Sequence, residues 1–270
     1  MTIENWLKQA QKKLESAGIG TARLDALVLA EDATGHDRAY LLAHPNISVK
    51  DPIFHKLEAQ IERRMKHEPL AYIRGKTEFY GREFMVDERV LEPRPESETI
   101  IDLLKSVKDR IFQVVDVGTG SGALAVTAKL ELPKAEVIAI DLDSKCIQVA
   151  KQNAKKHQVD IEFMRGSLLE PFTALSPEPL TLLCNLPYVP DNFTINPAAM
   201  REPKIAIFGG PDGLDLYRQL FKQIKDLKLQ VKYILTESMP PQHSQLEEIA
   251  EKNGYKQIKE DDFIQVFGVS

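Results

Sequence analysis

From Gln113 onward the chain alternates short apolar, β-branched runs with stretches of helical period, and this alternation restricts the fold more than any other feature. The runs are QVVDV, EVIAID, IEFMR, TLLCN and YILTE, and between them lie ALAVTAKLEL, SKCIQVAKQNAKKH and LYRQLFKQIKDL. Strands apolar along their whole length need cover on both faces, and helical crossovers return each strand parallel to its neighbour. The expected architecture is therefore α/β: a mostly parallel sheet with helices on both faces, completed at one edge by strands near Lys256–Ile258 and Phe263–Gly268. In open sheets of this kind ligands bind beyond the carboxyl ends of the strands.

The first seventy residues lack strand signals. Ile3, Trp6, Leu7, Ala10 and Leu14 recur at spacings of three and four and stop at Ala17-Gly18, which predicts one helix. Thr21 is the expected cap of a second that ends before Gly35. Asp51-Pro52 reads as the N-cap and first position of another, reaching about Lys66. Residues 1–75 are thus read as a small helical domain. At Thr77 the period changes to two, and Gly81 predicts a hairpin running to Leu91, so that 76–92 form an interdomain β-hairpin. Pro93 and Pro95 interrupt the pattern before a helix from about Glu96 to Val107, and 93–270 form the larger domain.

Composition excludes several classes. With 270 residues, 43% hydrophobic and 28% charged, the chain can bury a full core, which argues against disorder. A net charge of −5 opposes a protein whose main partner is bare nucleic acid. The opening MTIENWLKQAQKK has no apolar signal region, and no segment approaches the roughly 18 apolar residues of a membrane span. A cytoplasmic, monomeric protein is expected. Cys146 and Cys184 are read as reduced and structural, and the six histidines show no metal-ligand spacing, so no metal is expected.

Three strand ends carry the motifs. Asp116-Val117-Gly118-Thr119-Gly120-Ser121-Gly122 follows the first apolar run, where glycines allow a tight turn and close approach of a ligand to the backbone. Asp141 ends the next run, about twenty residues on, where a carboxylate can accept both ribose hydroxyls. Asp143 reads as a helix cap. Ser167 and Leu168 fall after IEFMR, where adenine would be recognised, although Ser167 suits a plain turn equally well. These features fit S-adenosylmethionine and a nicotinamide dinucleotide alike, since Gly118, Gly120 and Ala123 also satisfy G-x-G-x-x-G/A.

Asn185-Leu186-Pro187-Tyr188 separates the two. An amide nitrogen is a weak nucleophile because its lone pair is delocalised, so it must be oriented and kept dry. The Asn185 side-chain oxygen and the Leu186 carbonyl can accept the two hydrogens of one NH2 group and aim its nitrogen at a sulfonium methyl. Leu186 precedes Pro187 and is biased to extended backbone, and the Tyr188 ring can stack on a planar acceptor. A hydride-transferring enzyme would need a pyrophosphate site and a proton donor, and neither is evident.

Taken in order, these motifs resemble the HemK/PrmC family of peptide chain release factor glutamine methyltransferases. The matching stretches are EPLAYI (68–73), EFYG (78–81), VLEPRPESE (90–98), the Asp116 to Gly122 loop, Asn185 to Tyr188, Glu202-Pro203 and FGGPDGL (208–214). The resemblance implies a Rossmann-like S-adenosylmethionine-dependent methyltransferase sheet and an N-terminal helical domain that docks class I release factors. The substrate would be the glutamine of their Gly-Gly-Gln motif, methylated at N5, with Asn185, Leu186, Pro187 and Tyr188 around its amide. Arg94 would lie near the substrate entrance, or else be a surface ion-pair partner of Glu96 or Glu98. Leu186 departs from the family's usual proline, and Ser167 stands where an acidic residue is common. Adenine amino-group methylation of RNA or DNA, and a non-catalytic cofactor-binding module, are the alternatives.

Overall fold

A computed structural model describes residues 1–107, 111–172 and 179–269. In chain order the elements are α1 (Ile3–Ser16), α2 (Ala22–Thr34), α3 (Arg38–Ala43), α4 (Asp51–Met65), α5 (Leu70–Arg74), β1 (Lys76–Phe79), β2 (Arg82–Met85), α6 (Glu98–Ser106) and β3 (Gln113–Val117). They continue with α7 (Ala123–Glu131), β4 (Glu136–Asp141), α8 (Ser144–Lys156), β5 (Glu162–Arg165), β6 (Leu180–Cys184), α9 (Asp215–Asp226), β7 (Val231–Glu237), α10 (His243–Glu251), β8 (Tyr255–Asp261) and β9 (Ile264–Val269). The chain divides into two compact units, Met1–Lys76 with Ile195–Arg201, and Thr77–Thr194 with Glu202–Ser270.

In the helical unit, Ile3, Trp6, Ala10 and Leu14 form the buried stripe of α1 and meet Leu29 of α2 and Leu57 and Ile61 of α4 in one core. The Trp6 indole donates to Glu58 Oε1 at 3.0 Å, which satisfies the polar atom of a fully buried ring. A second buried polar contact, Arg64 to Asp25 at 2.7 Å, ties α4 to α2. Thr21 is the N-cap residue of α2, as expected, although its side chain makes no cap hydrogen bond; the N-cap of α4 is Lys50 rather than Asp51, so that Asp51 and Pro52 are already helical. The short α3 was not anticipated; its Asp37 cap accepts the Tyr40 amide at 2.7 Å.

The second unit holds a seven-stranded sheet in the order β5-β4-β3-β6-β7-β9-β8. The first five strands are parallel, and β9 and β8 run antiparallel at the edge. Alternate residues of each strand enter opposite cores: Val115, Leu182 and Ile234 pack under α9 and α10, whereas Val114, Leu183 and Leu235 pack under α6 and α7. This is the doubly covered sheet that uninterrupted apolar runs require. The hairpin β1–β2 stops at Met85 rather than Leu91, and its Phe79 and Phe84 join the second of these cores. Strand order reverses between β3 and β6, and the crevice at that reversal is where this class of sheet takes ligands.

Trp6 is the only tryptophan and is fully buried. Trp6→Ala is expected to lower stability by about 3–5 kcal/mol, read as an earlier helical transition in urea denaturation followed by circular dichroism.

Candidate active site

Parallel register sets Asp116 of β3 beside Leu183 of β6 and Val117 beside Ile140 of β4, so three strand ends release their loops at one level. The first loop folds around Asp116. This fully buried carboxylate accepts the Thr119 hydroxyl at 2.6 Å and the Ala125 amide at 3.1 Å through Oδ2. Burial raises its pKa to about 7, against the pull of those two hydrogen bonds. Gly118, Gly120 and Gly122 all take positive φ. At Gly122 the need is also steric, because a Cβ would stand 2.9 Å from that of Ala150. Asn153 of α8 secures the turn by donating to the Ser121 carbonyl at 2.8 Å while exchanging hydrogen bonds with both backbone groups of Met85.

Asp141, ending β4, accepts the Gly120 amide on one oxygen and the Asp143 amide on the other, each at 2.9 Å. Burial raises its pKa and these amides oppose the rise. Asp143 caps α8 as expected, accepting the Lys145 amide at 2.8 Å. Cys146 stands beside Asp141; burial, then the charges of Asp141 and Asp143, push its thiol up to about 12, and it points to the Arg89 carbonyl at 3.3 Å.

A cavity of about 240 Å³ lies over these ends. Gly118, Gly120, Asp141, Ser167, Leu168, Asn185, Leu186 and Pro187 line it, with Leu91, Leu142 and Ile205 as apolar walls. A smaller one, about 60 Å³, is bounded by Phe79, Arg94, Ser97, Thr119, Ser121 and Asn185. Gly118, Gly120 and Asn185 border both cavities. Of the expected site residues, Asp116, Gly122 and Tyr188 line neither cavity; Asp116 holds the loop through Thr119 and Ala125, and Tyr188 directs its hydroxyl to Glu237 Oε1 at 3.0 Å.

The FGGPDGL stretch forms the backing of the Asn185–Tyr188 segment. Val189 and Phe208 make a parallel bridge, and Gly209 donates to the Val189 carbonyl at 2.9 Å. A Cβ at Gly209 would fall 2.1 Å from the Pro187 carbonyl oxygen, so no other residue permits this approach. Gln242 reaches across from the far side, donating to the carbonyls of Tyr188 at 2.8 Å and Asp212 at 2.7 Å.

Arg94 borders the smaller cavity, but its ion-pair partner is neither Glu96 nor Glu98. It donates to Glu202 Oε1 at 2.5 Å, with Glu92 at 3.8 Å, and the other Glu202 oxygen accepts the Glu92 amide at 2.9 Å. Glu98 instead accepts the Tyr80 amide. Two participants escaped the sequence reading. The buried Ser97 hydroxyl donates to Glu237 Oε2 at 2.6 Å and accepts the Asn185 amide at 2.8 Å. Burial raises the pKa of Glu237 to about 7, while Ser97 and Tyr188 hold it down. The signal for Glu237 was a carboxylate closing an apolar strand at the ligand edge. His243 is buried between Glu260 and the Ser238 carbonyl.

Residues 5–75 match the family model described as the PrmC N-terminal domain, and 97–173 match that of the ribosomal protein L11 methyltransferase (PrmA). The release factor glutamine methyltransferase of Bacillus subtilis (strain 168) is 36% identical over 232 residues, covering 83% of this chain and 80% of its own. That of Coxiella burnetii (strain RSA 493 / Nine Mile phase I) is 31% identical over 261 residues, covering 96% and 93%. Among solved structures, the hMettl16 catalytic domain in complex with MAT2A 3'UTR hairpin 1 aligns over 90% of both chains with a TM-score of 0.55 at 15% identity, a likeness of fold.

Between its ordinary 3.8 and about 7 the folded Asp116 carboxyl keeps a proton that the unfolded chain has released. Its contribution to stability is therefore lost as pH rises through that window. The unfolding free energy of the wild type relative to Asp116→Asn is expected to be larger at about pH 5 than at about pH 7.5, measured by urea denaturation.

Proposed function

The chain belongs to the release factor glutamine methyltransferase family, and on that premise we propose that it transfers a methyl group from S-adenosylmethionine to N5 of the glutamine in the Gly-Gly-Gln motif of class I release factors. The observation that carries this reading is the position of Asn185, on the border of a nucleoside-sized cavity and a small side-chain-sized one.

The larger cavity fits the cofactor chemically. Both Asp141 oxygens are already aligned by backbone amides and keep further lone pairs, which suits the two hydroxyls of a ribose. Gly120 leaves open space where a side chain would stand, so a ligand can approach the loop backbone. Ser167 and Leu168 would meet the adenine, and Gly118 to Ser121 the methionine portion. When bound, S-adenosylmethionine supplies an electrophilic methyl: a carbon–nitrogen bond forms as the sulfonium carbon–sulfur bond breaks.

The protein's part is orientation and exclusion of water. Asn185 Oδ1 and the Leu186 carbonyl would each accept one N–H of the glutamine amide, drawing electron density to the nitrogen and fixing its plane. Pro187 and the Tyr188 ring would flank that plane, with Arg94 at the entrance. The methylated nitrogen becomes acidic and releases its proton without a dedicated base. The helical unit, residues 1–75, is proposed to dock the release factor, and the protein to act as a cytoplasmic monomer. No helix among the described residues is long and apolar enough to cross a membrane.

Incubated with S-adenosylmethionine and a release factor, the protein is expected to add one methyl to the Gly-Gly-Gln glutamine, located by tandem mass spectrometry of the digest. Asn185→Ala should lower kcat by about 10²-fold or more, in line with loss of an oriented polar group at the reacting centre. Label appearing in RNA and not in the release factor would overturn the assignment in favour of adenine.

A further inference from the structure

An asparagine side chain is nearly symmetric in shape, so packing alone does not decide which end, oxygen or NH2, faces a cavity. At Asn185 hydrogen bonding decides it. Glu237, at the carboxyl end of β7, is buried and in its ionised form only accepts. It takes the single hydroxyl proton of Ser97 on Oε2 at 2.6 Å. With that proton committed, Ser97 Oγ offers only lone pairs, and Asn185 must present Nδ2 to it, at 2.8 Å. The Asn185 oxygen is left for the junction of the two cavities. Were the amide reversed, its oxygen would confront an acceptor. The second Glu237 oxygen takes the Tyr188 hydroxyl at 3.0 Å, so one carboxylate fixes both polar side chains of the Asn185–Tyr188 segment.

We propose that Glu237 and Ser97 are positioning residues that set the polarity of Asn185, and thereby make the acceptor site selective for a carboxamide over the isosteric carboxylate. A glutamine offers N–H donors to the Asn185 oxygen. A glutamate in the same place offers only acceptors and would fit the reversed asparagine instead. This inference rests on the proposed glutamine methylation, but the orientation of Asn185 can be observed without it.

Ser97→Ala removes the acceptor, Ser97→Thr keeps a hydroxyl at the same point, and Glu237→Gln supplies one donor where the wild type has two acceptors. For Ser97→Ala and Glu237→Gln, kcat on a release factor is expected to fall by roughly tenfold or more with KM changed by less than about threefold, while Ser97→Thr restores most of kcat. Cofactor affinity by calorimetry should stay near wild type for Ser97→Ala and Ser97→Thr. As a reading independent of turnover, the Asn185 Nδ2H2 cross-peak in the ¹⁵N–¹H spectrum, assigned with Asn185→Ala, should show slowed hydrogen exchange in the wild type and Ser97→Thr and lose it in Ser97→Ala.

Wild-type kcat in Ser97→Ala, or equal impairment of Ser97→Thr and Ser97→Ala, would overturn the proposal, as would an Asn185 cross-peak that Ser97→Ala leaves unchanged. If the wild type fails to methylate glutamine yet the cross-peak behaves as stated, the functional reading falls and the positioning role stands.

Discussion

The parallel pairing of β3 with β6 is the constraint on which the site depends. These strands are neighbours in space but lie either side of the reversal in strand order, so the loops leaving them diverge and open a crevice between. Because Asp116 lies level with Leu183, the glycine loop and the Asn185–Tyr188 segment begin at the same height above the sheet. A shift of one residue in this register would exchange the two cores for every side chain on the slipped strand. Fully apolar strands buried on both faces tolerate such slips less through polarity than through volume, since each core is filled by residues of fixed size.

The crevice is organised by carboxylates held mainly by neutral donors. Asp116 is held by a hydroxyl and an amide, Asp141 by two amides, and Glu237 by two hydroxyls. Burying acids in this way is unfavourable, and the raised pKa values of Asp116 and Glu237 record it. The geometry gained is directional: each acceptor fixes where a hydrogen points. Arg94 with Glu202 is the exception, a charge-paired contact at the rim.

How much of this was legible in the sequence follows from the range of the interactions. The parallel strands were readable because burial on both faces leaves an unbroken apolar run, and the Asp143 cap because it acts two residues away. Short α3, and α10 with its few apolar positions, gave too little periodicity to register. The cap of α4 misled by one residue because cap preference is local while the entry of a helix into its core is not. Within the site, Asp116, Asp141 and Asn185 were singled out from their positions at strand ends, whereas Glu237, also at one, was not. The Ser97–Glu237 contact spans 140 positions and the Asn153–Met85 contact 68, distances at which a single sequence offers no pattern to read. The pairing of Arg94 with Glu202, 108 positions away, was missed for the same reason.

Leu186 takes on a different aspect once its surroundings are known. Its side chain is buried, and its Cδ2 would lie only 3.3 Å from any Cβ at position 118. The Asp116–Gly122 loop and the Asn185–Tyr188 segment thus meet through the leucine side chain. This makes the side chain a spacer: its bulk fills the gap between the two segments, and the missing side chain at 118 allows them to close to it. The replacement of proline at 186 therefore bears on a length as well as on backbone stiffness. In the proposed methyl transfer, whose rate would fall steeply as donor and acceptor draw apart, such a spacing would bear on turnover.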